Sequence, residues 1–171
     1  MPVARSVALC DGGEVLLPGP GEGFAERTSA AGEVLLAFER AGRGGDPVAS
    51  LYLAEAEWDA EADGGEAWDE WLERWEGEEG GPHHCWEGDN GPARSVSREP
   101  CGEGPFTRRW EARNGSCLTV ALLAPLTGGL AVMLCLDAAR PGRRARAVER
   151  WERELLRVAR AATIRPGKTE S

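Results

Sequence analysis

The stretch FTRRWEARNGSCLTVALLAPLTGGLAVMLCL, Phe106–Leu136, decides the fold. Phe106, Arg108, Trp110 and Ala112 alternate with Thr107, Arg109, Glu111 and Arg113, the period-two pattern of a strand. Asn114-Gly115 follows. Both positions of a tight hairpin turn need positive φ, and these two residues adopt it at least cost. Cys117–Ala124 is then the partner strand, and Pro125-Leu126-Thr127-Gly128-Gly129 turns the chain again. Leu130–Leu136 is apolar at every position, which predicts a central strand covered on both faces. Together these strands form an antiparallel meander.

Downstream of Pro141-Gly142, Val148, Trp151, Leu155, Val158, Ala159 and Ala162 fall on one helical stripe. Glu149 and Arg153 have the spacing and direction of a favourable ion pair. Arg157 and Arg160 suit the negative end of the helix dipole. Pro166 blocks further extension, and the tail 166–171 is expected to fray.

Upstream, Val15-Leu16-Leu17 predicts a short strand stopped by Pro18-Gly19-Pro20-Gly21. The apolar run 33–39 and the run Val48–Ala54 flank the turn Gly42–Pro47 and predict a hairpin. In the second run Ala49, Leu51 and Leu53 share one face, with Ser50 and Tyr52 on the other.

The middle differs. Residues 55–80 carry twelve acids against one base, Arg74, or −11. Within them Trp68, Trp71, Leu72 and Trp75 fall at i, i+3, i+4 and i+7, one stripe of a short acidic helix. Asp63 and Glu66 fit its capping pair, and Gly77, Gly80 and Gly81 end it. Residues 77–105 are rich in Gly, Pro and charge and predict a long mobile loop with a short strand near Arg94–Arg98. The sequence thus predicts a single α/β (α+β) domain over 1–171, with its core at about 14–165. The sheet is largely antiparallel, with a short acidic helix and a C-terminal amphipathic helix on its flanks.

Composition narrows the function. An apolar share of 42% with 29% charged residues is that of a globular chain. A net charge of −9 argues against general affinity for nucleic acid or an anionic membrane. Lys168 is the only lysine, and the excess of Arg, Ala and Gly reads as codon bias. Cys10, Cys85, Cys101, Cys117 and Cys135 are odd in number and include no C-x-x-C. With no apolar leader at the N-terminus, this predicts free thiols and a cytoplasmic location. No apolar run approaches the ~20 residues of a membrane span.

Few residues suggest chemistry. His83-His84-Cys85 is the only His cluster, and Cys101 offers another ligand. However, neighbouring residues rarely hold one ion, and zinc spacings are missing. Cys85 beside His83 or His84 could serve as a nucleophile, but nothing in the sequence depresses its pKa. Gly19-Pro20-Gly21-Glu22-Gly23 lacks the Lys-Ser/Thr of a phosphate loop, and Glu22 would repel a phosphate, so it reads as a turn. The carboxylates at 55–80 are mostly solvated, and no calcium-loop spacing occurs. Asn114-Gly115-Ser116 matches a glycosylation sequon but is better read as the hairpin turn.

The indoles say more. Trp110 and Trp151 serve as anchors, whereas Trp58 and Trp86 fit no stripe and flank the acidic helix. Acids beside exposed indoles make a protein-binding patch, here Trp58, Glu66, Asp69, Glu70, Glu73, Glu76 and Trp86. Residues 137–171 carry ten bases against five acids, or +5. They could neutralise the acidic helix within the fold or leave it free to steer a basic partner.

Val34–Phe38, Val48–Ala54, Trp68–Trp75, the meander Phe106–Leu136 and the helix Arg143–Ala162 occur in an order that resembles the α/β/α sandwich of the PsbP-like superfamily. That group includes the Ran-binding Mog protein, DcrB-like lipoproteins and small immunity-type proteins of secretion systems. The resemblance is one of layout over roughly residues 14–165 and transfers no functional residue. It implies a mostly non-enzymatic, protein-binding family. The expectation is a cytoplasmic, non-catalytic immunity, adaptor or GTPase-regulator type of protein without cofactor or metal. Its partner is a protein with a basic surface, not nucleic acid or membrane. Two alternatives stand beside it. One is a metal-binding or cysteine-dependent enzyme centred on His83-His84-Cys85. The other is a module that buries its Trp face in a homodimer.

Overall fold

The computed structural model describes residues 4–27, 34–57, 95–113, 117–126 and 130–167. Two antiparallel sheets and one α-helix make up the described fold. Strands β1 (Arg5–Ala8) and β2 (Glu14–Leu17) form a hairpin. Next come β3 (Ala25–Glu26), β4 (Val34–Ala41) and β5 (Pro47–Glu57). After these lie β6 (Ser95–Glu103), β7 (Phe106–Arg113), β8 (Cys117–Pro125) and β9 (Leu130–Ala139). A short 3-10 turn, Pro141–Arg143, leads into helix α1 (Ala145–Ala161), and β10 (Thr163–Arg165) closes the chain. The small sheet has the order β1-β2-β10 and the large one β3-β4-β5-β9-β8-β7-β6.

The meander and the hairpin form as their alternation demands. Arg113 lies opposite Leu118 and Arg108 opposite Leu123 across β7 and β8, while the connecting turn lies outside the described residues. β5 pairs with both β4 and β9, so β9 is central. Its residues Ala131–Ala138 are all buried, as a doubly covered strand requires.

The centre of one face of the large sheet is apolar. Leu51, Leu53, Val120, Leu122, Leu134 and Leu136 meet Val148, Trp151, Leu155 and Val158 of α1 in one core, with Val15 and Leu17 of β2 beside them. The buried face of α1 is the expected stripe, with Glu154 added. Full burial of a Leu side chain stabilises by roughly 1.5–3 kcal/mol, so this stripe, not helix propensity, holds α1 in place.

Several elements differ from expectation. The short strand expected near Arg94–Arg98 is present but longer: residues 95–103 form β6, where 99–103 were placed in a loop. Pro100 and Gly102 argue against a central strand, but β6 lies at the sheet edge, where a missing N–H is tolerated, and its register shifts between Pro100 and Glu103. β1 extends the ordered core upstream of residue 14, and β5 runs on to Glu57, drawing the start of the acidic stretch into the sheet. Arg165 in β10 bonds Glu14, and the Gly167 N–H donates to Asp11 at 3.3 Å, so the chain is tied down beyond Pro166. Glu149 and Arg153 form no ion pair among the described residues. Instead Arg109 of β7 reaches α1 at Glu152, an ion pair between layers.

Candidate functional site

Trp58, Glu66, Asp69, Glu70, Glu73, Glu76 and Trp86 lie outside the described residues, as do His83, His84, Cys85 and the expected acidic helix. Cys101 is described. It is half-buried in β6, its thiol donates to the Phe106 carbonyl at 3.5 Å, and burial raises its pKa. Among the described residues no three His, Cys, Asp or Glu side chains are grouped to hold a metal.

The glycine stretch after β2 is a clamp on the helix. Glu154 of α1 is buried and accepts from the Gly21 N–H at 2.9 Å and from Arg157 Nε at 2.9 Å. Arg157 Nη2 also donates to the Gly19 carbonyl at 3.0 Å. Burial pushes the Glu154 carboxyl up, but the Arg157 guanidinium and the Gly21 N–H outweigh it and leave the pKa below its ordinary value. The turn therefore binds a side chain of its own chain.

Two clusters remain that the sequence did not single out. The first is a buried polar group on the second face of the large sheet. Thr119 of β8 lies opposite Asp137 of β9, and its hydroxyl donates to Asp137 Oδ1 at 2.8 Å. Ser50 lies opposite Asp137 on β5, and Tyr52 lies opposite Cys135. The Tyr52 hydroxyl interacts with both the Asp137 carboxyl and the Cys135 thiol. Burial raises the Asp137 pKa to about 7, against the pull of the Thr119 and Tyr52 hydrogen bonds. Burial, reinforced by Asp137, pushes the Cys135 thiol up, so it is a poor nucleophile at neutral pH. Asp137 is only 8% exposed and does not line the cleft described next.

The second cluster is a cleft of about 1210 Å³ between the β4–β5 turn and the start of α1. One wall comes from Arg40, Arg43, Asp46 and Val48; the other comes from Arg143, Arg144, Ala145, Arg146, Ala147, Arg150 and Trp151. The turn is set by Gly42, whose N–H donates to the Asp46 carbonyl at 2.8 Å, and by Gly45 at φ +86°. Six arginines thus face one acid, for a local charge of +5 in a chain of −9. Arg40 donates to the Glu22 carbonyl, Arg144 donates to the Ala139 carbonyl at 2.9 Å, and Arg150 lies 3.7 Å from Glu22. Arg43, Arg143 and Arg146 are exposed and take no ion pair among the described residues.

Residues 140–146 hold four arginines and no acid, a local signal that an account of the Arg content as codon bias passes over. The other wall could not be read from the sequence, because only the fold brings 40–48 beside 142–151.

No family model and no curated protein matches the chain. Among solved structures the chain is similar to LpqN of Mycobacterium tuberculosis, described as involved in cell envelope biogenesis. The TM-score is 0.56 at 11% identity, over 95% of this chain and 91% of that one. At this identity the likeness is one of fold, a mixed α/β arrangement. No helix among the described residues is long and apolar enough to cross a membrane.

Proposed function

We propose that this protein is a non-catalytic binding domain of PsbP-like layout that uses its acidic, Trp-containing stretch to dock on a basic protein surface. The partner is a toxin, a secreted effector or a small GTPase, and the setting is the cytoplasm. One observation carries the reading. Three of the five arginines of α1 meet acids outside 55–80: Arg150 beside Glu22, Arg157 with Glu154 and Arg160 with Glu103. The charge of the twelve acids at 55–80 would then remain to steer a partner.

Charge reversal at Glu70 and Glu73 tests this. Association with a partner captured from the native host should slow by an order of magnitude or more, and the wild-type rate should fall steeply with salt. A rate equal to wild type at low salt rejects the acidic face. Zinc bound stoichiometrically and lost on changing His84 and Cys85 would instead favour the metal-binding alternative. The likeness to LpqN favours a second placement of the same binding role, at the cell envelope. Fractionation of the native host separates the two locations.

A further inference from the structure

The start of α1 carries the wrong sign of charge for its own stability. A helix N-terminus bears a partial positive charge and is stabilised by acids in its first turn. Here the first turn holds no acid, and the N-cap residue, Arg144, makes no side-chain cap bond. The first helical bond runs from the Val148 N–H to the Arg144 carbonyl, so the N–H groups of Ala145, Arg146 and Ala147 lack helical partners, and all three residues line the cleft. Arg140, Arg143, Arg144 and Arg146 crowd the same end. Arg40 and Arg43 add like charge from the opposite wall. An independent observation points the same way. Trp151 is 2% exposed and borders the cleft, yet its buried Nε1–H has no acceptor among the described residues. Buried donors are ordinarily satisfied, and this one belongs to a residue of the cleft wall.

We propose that this cleft binds a small polyanion bearing two or more phosphoryl groups. Apart from Asp46, every charged side chain it presents is an arginine. Backbone N–H groups at a helix start and guanidinium forks are the groups that bind phosphate. Each phosphoryl group brings roughly −1.5 to −2 charge, so two or three match a wall charge of +5. The chemistry is shared by a free phosphorylated metabolite and by a phosphorylated lipid headgroup. None of the cleft residues belongs to the acidic stretch, so failure of this test would leave the reading of that stretch untouched.

The test is titration of the full chain with inorganic tripolyphosphate at physiological salt, followed by calorimetry and by the indole N–H resonances. One site should appear, and the resonance assigned to Trp151 by Trp151→Phe should move on binding. Arg143→Ala and Arg146→Ala should each weaken binding about tenfold or more, as expected for a charge-assisted hydrogen bond. Arg5→Ala and Arg165→Ala, outside the cleft, should leave it unchanged. Vesicles of phosphatidylcholine with and without a phosphoinositide then distinguish the source. Capture only by the phosphoinositide vesicles assigns a headgroup, and binding of free tripolyphosphate alone assigns a metabolite. No binding of either probe overturns the proposal. So does tripolyphosphate binding that survives both cleft substitutions or leaves the Trp151 resonance in place.

Discussion

The two faces of the large sheet are built from alternate residues of the same strands, and they differ in kind. On one, Leu51, Leu53, Leu122, Leu134 and Leu136 meet α1 with no polar atom between them. On the other, Ala121, Leu123 and Met133 are as well buried, but Thr119, Tyr52, Cys135 and Asp137 form a polar group beside them. The apolar contacts of the first face are held by area removed from water and are indifferent to pH. The second contains a carboxyl that must lose either its charge or its hydration, and its contribution varies with the proton concentration. A single strand thus carries two kinds of stabilisation at period two.

This contrast can be broken by substitution. The largest effect is expected on the apolar face: Leu134→Ala should cost roughly 2–5 kcal/mol in denaturant unfolding, with little change between pH 5 and pH 8. A cost below about 1 kcal/mol there would mean that the helix interface is not the core it is taken to be. On the polar face, Thr119→Val keeps the shape but removes the donor to Asp137. It should cost about 1–3 kcal/mol at neutral pH and less in acid, where the carboxyl carries its own proton. An equal loss at pH 5 and pH 8 would show that the hydrogen bond does not depend on the charge.

The pH dependence itself comes third. Asp137 holds its proton to about pH 7 in the folded chain, whereas its ordinary value is 3.8. Between those values the folded state binds more protons than the unfolded one. The Asp137 contribution to stability is therefore greatest below pH 3.8, falls as pH rises by up to about 1.4 kcal/mol per unit, and levels off above pH 7. Glu154, with its lowered pKa, works in the opposite sense, losing its contribution as pH falls. The difference between wild type and Asp137→Asn isolates the Asp137 part, and parallel stability curves for the two would refute it. The smallest effect belongs to neither face. Arg5 and Glu26 form a 2.6 Å pair in the open, and Arg5→Ala should shift stability by no more than about 0.5 kcal/mol.

The apolar face was legible in the sequence because alternation in β5 and β8, and the stripe from Val148 to Ala162, state it directly. The polar face was half legible. Ser50 and Tyr52 were assigned to the face opposite Leu51, but their meeting with Thr119 and Asp137 depends on strand register, which no local pattern carries. β6 was obscured by Pro100 and Gly102, residues that signal a loop anywhere except at an edge. β1 and β10 are short and mostly exposed, so they have no buried face to announce them. The cleft needed long-range placement as well, since neither the Gly42–Asp46 turn nor the Arg-rich entry to α1 is a site alone. The residues expected to bind a protein partner lie outside the described part of the fold.

The order of the large sheet has a further consequence, for how the protein behaves when crowded. A sheet of seven strands offers two borders at which a second chain could add itself and begin a fibre. Among the described residues, one border is β3, which is two residues long and cannot template a strand. The other is β6, where Pro100 removes a backbone donor and the register slips before Glu103. One border is too short to copy and the other is interrupted. Among the described residues both borders of the large sheet are thus poor templates for a further strand, and Pro100, which obscured the length of β6 in the sequence, is part of the reason.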